Sequence, residues 1–158
     1  MFRTKLALGL TAVVLIASAA FAANARFEGT PTFSTHDNAL TVGGTVIGLD
    51  QGNVMVEISA VAVTTCTNKG GKTPKGHRSE EIVRAHSGEN LAPVNGRIFF
   101  SLSTHAVEGD CPSNMTPETT FEDVEITVHQ NGHVVLHQMF HNQTDDHHDD
   151  HHDDHPGH

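Results

Sequence analysis

The fold is decided by the stretch Val54-Met55-Val56-Glu57-Ile58-Ser59-Ala60-Val61-Ala62-Val63. Its even-numbered positions are all apolar, whereas its odd-numbered positions include Glu57 and Ser59. An alternation with a period of two places successive side chains on opposite faces of an extended chain. The stretch therefore predicts a β-strand that is half-buried or fully buried.

Further strand-like runs lie on both sides of this stretch, and no window shows a sustained helical period of 3.6 residues. They cover residues 41–48, 81–85, 97–102, 123–129 and 133–141, with turn signals at residues 50–53 and at Asn95-Gly96. Residues 67–76 and 109–120 are predicted as long loops. Short strands separated by turn signals predict an all-β fold, a small antiparallel, immunoglobulin-like sandwich.

Two stretches of the chain resemble a pattern found in small secreted bacterial β-sandwich proteins of unknown function. The first is residues 62–76, in which a strand ends in Cys66-Thr67-Asn68-Lys69-Gly70-Gly71 and leads into a loop. The second contains Asn95-Gly96, Cys111-Pro112 and residues 121–126. The resemblance covers most of residues 40–130 and implies a β-sandwich, but it implies no activity and does not reach the C-terminus.

The N-terminus has the organisation of a cleaved secretory signal. Arg3 and Lys5 precede an apolar run at residues 6–20, and small-residue sites end at Ala22 and Ala25. The run is short for a membrane anchor, and no other stretch is apolar enough to span a membrane. We therefore expect a signal at residues 1–25, cleaved after Ala22 or Ala25, and a secreted or periplasmic protein with no membrane span after cleavage.

The expected export of the protein also affects the interpretation of its two cysteines. Cys66 and Cys111 are the only cysteines of the chain, and an oxidising compartment favours a disulfide between them. A metal-binding thiolate pair or a catalytic cysteine are the alternatives, but neither has a C-x-x-C spacing or a partner motif. The disulfide would close a loop of about 45 residues.

Composition narrows the possible partners. The 19 Asp and Glu outnumber the 9 Lys and Arg, which gives a formal net charge of -10 with His neutral. Such a chain repels nucleic-acid phosphates, and with no Trp and no Tyr it also lacks stacking platforms for bases. We therefore expect no nucleic-acid partner. The number of His residues is unusually high, at 14 of 158.

Four of the predicted metal ligands lie in the last hairpin. A three-residue loop, Gln130-Asn131-Gly132, pairs Val128 with Val134 and Ile126 with Leu136 on the core face. The opposite face then pairs His129 with His133 and Glu125 with His137. Directly opposed residues have Cβ atoms about 4.5–5.5 Å apart, so His129 and His133 are predicted to share a metal ion. The alternative is that these are polar residues on a solvated sheet face.

The C-terminal tail, residues 144–158, differs in composition from the rest of the chain. It contains no apolar side chain, and it is predicted to be disordered when free because it has nothing to bury. Imidazole suits Zn, Ni and Cu(II), and carboxylates add oxygen ligands and negative charge. The predicted tail ligands are six imidazoles and six carboxylates: His147, His148, His151, His152, His155, His158, Asp145, Asp146, Asp149, Asp150, Asp153 and Asp154.

These observations predict a three-part chain: the signal at residues 1–25, a β-sandwich domain at residues 26–143 and a metal-binding tail at residues 144–158. The predicted function is to buffer, sequester or deliver a divalent transition metal, with Zn first and Ni or Cu(II) as alternatives. The partners are metal ions, with a metal transporter or a cell-surface component as the protein partner. The alternative function is a cell-surface or matrix interaction module whose tail only modulates association.

Enzymatic activity is not predicted. The chain contains no G-x-S-x-G, H-E-x-x-H, P-loop or dinucleotide-binding signature, and we expect no catalytic residue. The one enzymatic alternative is a catalytic zinc ion on His129, His133 and Glu125 with an open coordination position.

We predict that metal binding by the tail falls steeply with pH. Only neutral imidazole binds a metal ion, and the ordinary pKa of imidazole is about 6.5. Affinity should therefore be high at pH 7.5 and be lost below about pH 5.5, where imidazole is protonated. Zinc titrations at the two pH values measure this. Equal affinity at both would identify the carboxylates as the only ligands and a hard ion such as Ca²⁺ as the candidate.

Overall fold

The computed structural model describes residues 24–73, 77–88 and 91–141. The described part of the chain contains eight β-strands and no helix, and so no helix that is able to cross a membrane. The strands are β1 (Arg26–Phe27), β2 (Thr32–His36), β3 (Ala39–Ile47), β4 (Val54–Asn68), β5 (Arg78–His86), β6 (Arg97–Ser103), β7 (Met115–Gln130) and β8 (His133–Phe140). Of the predicted signal only Asn24 and Ala25 are described, and the predicted tail lies wholly outside the described residues.

The strands form two antiparallel sheets that enclose one hydrophobic core. In the first sheet, β3 pairs with β1 and β2 along one side and with β6 along the other. The second sheet has the order β5-β4-β7-β8. Side chains from both sheets, such as Val42 and Phe100 of the first and Ile58 and Ile126 of the second, belong to the same buried cluster. The predicted all-β antiparallel sandwich is confirmed.

The alternation in the first half of β4 places its even-numbered side chains in this core. Val54, Val56 and Ile58 are fully buried, whereas Glu57 and Ser59 are only partly buried on the outer side of the sheet. Burying each large aliphatic side chain contributes about 1.5–3 kcal/mol, which fixes the face that β4 turns inward. The predicted strand is confirmed, and it continues beyond the predicted stretch to Asn68.

The prediction of a loop over residues 109–120 is wrong in its second half, because β7 begins at Met115. Pro117 lies inside this strand, opposite Cys66 of β4. Proline lacks an N–H and is found in strands only where no ladder bond is needed, typically at a sheet edge. The pairing of β7 with β8 ends at Val124 opposite Phe140, so β7 is an edge strand at Pro117.

The predicted register of the last hairpin is also wrong. The turn is Asn131-Gly132, with φ of 51° and 80°, and Gln130 pairs directly with His133. Left-handed conformations at both residues are those of a type I′ turn, whose twist matches the strands that it joins. With a two-residue turn and a regular ladder, Ile126 would pair with His137, which would put a core residue and a polar residue on the same face. An irregularity at Val135 of β8 corrects this, so that Val128 pairs with Leu136.

The end of β7 is held by a buried amide. The Gln130 side chain accepts a hydrogen bond from the backbone N–H of Asp50 (3.2 Å) and donates one to the Asp50 carbonyl oxygen (2.6 Å). Both polar groups of this buried amide are therefore bonded to the β3–β4 loop, as burial requires. The arrangement fixes the inward direction of Gln130, and with it the faces of its neighbours in the hairpin.

The predicted disulfide between Cys66 and Cys111 is confirmed. Cys66 lies in β4, and Cys111 lies in the segment that joins β6 to β7. The bond therefore ties a central strand to a connection that is otherwise held by few backbone hydrogen bonds, among them the bond from Val107 to Asn38.

We predict that the double substitution Cys66→Ser and Cys111→Ser lowers the free energy of unfolding by about 3–4 kcal/mol. The cross-link spans 45 residues, and closing a loop of that length restricts mainly the unfolded chain. Urea unfolding monitored by circular dichroism measures the change. Reduction of the unsubstituted protein is the control and should reproduce it. A loss of less than about 1 kcal/mol would contradict the prediction.

Candidate functional site

The outer face of the second sheet carries several histidines and carboxylates. The side chains of β4 and β7 that do not enter the core point to this face, together with side chains of β8. We call the following set the His–carboxylate face: Glu57, Asp123, Glu125, His129, His137 and His141. Its members form three contacts between an imidazole and a carboxylate.

The first contact joins His137 of β8 to Glu125 of β7. Nε2 of His137 lies 2.7 Å from Oε1 of Glu125. His137 is directly opposite Thr127, and Glu125 is directly opposite Met139, so the two side chains meet along the diagonal. The predicted direct pairing is therefore wrong. Long side chains bridge a diagonal of this kind, and the two residues are in contact all the same.

The second contact involves a residue of a bulge in β7. Asp123 and Val124 together oppose the single residue Ala60 of β4, and Asp123 has a φ of 49°. A bulge with a left-handed residue redirects the side chain at that position. Oδ1 of Asp123 lies 2.7 Å from Nδ1 of His141, immediately after the end of β8.

The third contact is looser and lies beside a shallow depression. Nε2 of His129 is 3.8 Å from Oε2 of Glu57, too far for a hydrogen bond. The depression has a volume of about 270 Å³. Its lining combines both signs of charge with two hydroxyl groups: Glu57, Ser59, Arg84, Glu125, Thr127 and His129. The Ser59 hydroxyl donates a hydrogen bond to Oε2 of Glu125 at 3.5 Å.

The predicted metal-binding pair of His129 and His133 is not formed. His129 is directly opposite Val134, whereas His133 is directly opposite the inward-facing Gln130. Directly opposed residues share a face and successive residues alternate, so the two imidazoles lie on opposite sides of the hairpin. The prediction failed because it used a three-residue loop, and the actual turn shifts β8 relative to β7.

The described residues contain no group of three or more His, Cys, Asp or Glu that is arranged to hold a metal ion. Each contact of the His–carboxylate face joins one imidazole to one carboxylate. The twelve tail ligands predicted between Asp145 and His158 lie outside the described residues, and Cys66 and Cys111 are joined to each other. Of the predicted ligands in the body, Glu125, His129 and His137 belong to the face and His133 does not.

Sequence reasoning missed Glu57, Asp123 and His141 as members of this face. Glu57 was recognisable as an outward position of the alternating stretch, one strand away from the hairpin. Asp123 was recognisable as well, because it has the same outward parity as Glu125 in the alternation of residues 123–129. Two further pairs of the same chemistry lie elsewhere: His36 with Asp37 at 2.9 Å, and His105 with Glu81 at 3.2 Å.

No family model, no curated protein and no solved structure matches this chain. The chemistry of its own residues therefore carries the functional proposal.

We predict that neutralising the carboxylates of this face leaves the fold stable. His137 and Glu125 are 51% and 38% exposed, and exposed ion pairs contribute at most about 1 kcal/mol. Glu125→Gln and Asp123→Asn should each change the free energy of unfolding by less than that. Asn also tolerates the left-handed conformation at position 123.

Chemical denaturation of these two variants measures the effect. Asp123→Val is the contrasting variant, because a β-branched side chain is strained at a positive φ, at a cost of about 1–3 kcal/mol. Equal stability of the Asn and Val variants would contradict the bulge geometry.

Proposed function

We propose that this protein is an exported binding protein for divalent transition metals, which buffers, sequesters or delivers ions through its His/Asp-rich tail. The observation that carries the proposal is the composition of residues 144–158, where six His and six Asp occur without one apolar side chain. Acidic residues alone would make a chain soluble. Interleaved imidazoles add the nitrogen ligands that Zn, Ni and Cu(II) prefer.

The proposed location is outside the cytoplasm, in the periplasm or the surrounding medium. The order of charged, apolar and small residues in residues 1–25 supports a cleaved secretory signal. The Cys66–Cys111 disulfide supports it as well, because such bonds persist mainly in oxidising compartments.

Zinc is the first candidate for the ion, with nickel or copper(II) next. Nitrogen and oxygen donors dominate the tail, and a Cu(I) carrier would need soft sulfur ligands. After removal of the signal only Met55, Met115 and Met139 remain as thioethers. A mixed and flexible donor set imposes no single geometry, so affinities in vitro should follow the Irving–Williams order, with Cu(II) tightest.

The alternative function is a surface or matrix interaction module, and one observation favours it. Phe99 on strand β6 and Val94 before it are each 71% exposed, on either side of the Asn95-Gly96 turn. They lie beside an open groove of about 870 Å³ that also includes Ile47 and Leu91. Exposed apolar side chains around a groove are a feature of interaction surfaces. Assembly that depends on Phe99 and not on metal would favour this alternative.

We predict that removing residues 144–158 abolishes most of the metal capacity. The complete tail has six imidazoles and one ion uses two to four of them, so the protein should bind more than one ion. Calorimetric titration with Zn, Ni, Cu(II) and Ca measures the stoichiometry, and circular dichroism in the presence of a chelator verifies that the truncated body is folded.

The matched control keeps the length and the carboxylates of the tail and replaces its six His by Asn. This variant should lose transition-metal binding but keep any weak binding of Ca. Equal stoichiometry for the complete and the truncated protein would refute the role of the tail and make the interaction module the leading function.

A further inference from the structure

We propose that the body of the protein has a binding site for a soft monovalent ion, Cu(I), formed by the thioether of Met55 and the imidazole of His129. The inference goes beyond the proposed function, because it concerns a different ion and uses no residue of the tail. Three observations support it: the register of β4 against β7, the depression that both side chains line, and the surroundings of the His129 ring.

The register of β4 and β7 brings the sulfur and the imidazole together. Met55 is directly opposite His129. Directly opposed residues have their side chains on the same face, with Cβ atoms about 4.5–5.5 Å apart. A methionine side chain is unbranched and flexible, so its sulfur can reach an ion beside the imidazole without a change in the backbone.

The other two methionines in the described part of the chain have a different neighbour across the strand pair. Met115 is directly opposite Asn68, and Met139 is directly opposite Glu125. Met55 is therefore the thioether that the sheet places directly opposite an imidazole.

Both side chains line an open depression next to the Asn131-Gly132 turn. It has a volume of about 440 Å³, and its lining also includes Asn53 and the two turn residues. The side chain of His129 is only 24% exposed and Met55 is partly buried, whereas Met139 is well exposed. The site is thus accessible to a small ion but sheltered from bulk water.

The imidazole of His129 is available to a metal ion. It forms no hydrogen bond with the described residues, and the carboxylate oxygen that approaches it, Oε2 of Glu57, lies 3.8 Å from its Nε2. The imidazoles of His137 and His141, in contrast, each contact a carboxylate oxygen at 2.7 Å. A neutral imidazole has a lone pair on one of its two nitrogens, which at His129 can be donated to an ion.

The two donors and the nearby charges select a soft, singly charged ion. Thioether sulfur is a soft ligand that favours Cu(I), and imidazole binds copper as well. Cu(I) forms stable complexes with as few as two ligands, so this pair suffices without a third protein donor. The adjoining depression, which His129 also lines, contains Glu57, Glu125 and Arg84. Two carboxylates and one guanidinium leave a single negative charge, which balances the charge of Cu(I).

The first measurement uses the chain from residue 23 to residue 158 with its methionine methyl groups labelled with ¹³C. The tail contains no methionine, so the methyl spectrum reports only on the body of the protein. Cu(I) is added without oxygen and in the presence of ascorbate. The methyl resonance of Met55 should move on binding, whereas those of Met115 and Met139 should not. Any other pattern of response would overturn the site.

The second measurement compares affinities in the variant whose six tail His are replaced by Asn, so that the tail imidazoles do not compete for the ion. In that background Met55→Leu and His129→Gln should each lower the affinity for Cu(I) by about 10-fold or more, measured by competition with a chromogenic Cu(I) chelator. Losing only the partner behind a metal ligand already costs about 10- to 100-fold, and here the ligand itself is lost.

Met139→Leu is the matched control, because it removes a methionine of the same sheet that is directly opposite a carboxylate. It should leave the affinity for Cu(I) unchanged. Leucine has nearly the volume of methionine and lacks only the sulfur donor, so both leucine variants should remain folded, which circular dichroism verifies.

Titration with zinc tests the choice of ion, and the possible failures are distinguishable. Zinc affinity should not respond to Met55→Leu, and a loss as large as that for Cu(I) would overturn the assignment to a soft ion. Unchanged affinity for Cu(I) in Met55→Leu would overturn the site and leave the proposed function standing. The role of the tail is measured separately, by the loss of divalent ions on its removal, and its failure would leave this site unaffected.

Discussion

The antiparallel pairing of β4 with β7, from Val54 opposite Gln130 to Asn68 opposite Met115, is the constraint on which the rest of the structure depends. Both strands are central, since β5 pairs with the free side of β4 and β8 with the free side of β7. In a pleated sheet the register that buries one set of side chains also presents the other set to solvent. The packing of Ile58 against the core therefore places Glu57 on the outer face.

The pairing of β4 with β7 contains a bulge opposite Ala60. In this bulge Asp123 and Val124 together oppose Ala60, and Asp123 has a left-handed φ of 49°. Oδ1 of Asp123 contacts Nδ1 of His141, immediately after the end of β8. This imidazole–carboxylate pair is therefore formed by the last described residue of the chain and a residue of the bulge. In the proposed function, exposed and weakly held pairs of this kind suit reversible binding better than permanent storage.

The features that could be predicted from the sequence depend on a local residue pattern or on the number of residues of one type. The alternation around Val56 identified β4, and a chain with two cysteines allows one intramolecular disulfide. The loop predicted over residues 109–120 is wrong from Met115 onward, where β7 includes Pro117; the short extent of β8 makes that part of β7 an edge, at which proline is tolerated. The hairpin register failed because the turn has two residues and not three, and the irregularity at Val135 that keeps the core face consistent with such a turn has no signature in the residue types.

The sequence by itself determined that the chain forms antiparallel strands, that Cys66 and Cys111 pair, and that residues 144–158 contain six His and six Asp. These properties follow from side-chain chemistry and from a period of two. Only the tertiary structure decided which imidazole meets which carboxylate. A shift of one residue moves every side chain of a strand to the opposite face, and the Asn131-Gly132 turn together with the irregularity at Val135 sets that shift between β7 and β8. The turn separates His133 from His129, and the shift at Val135 brings His137 next to Glu125 and His141 next to Asp123.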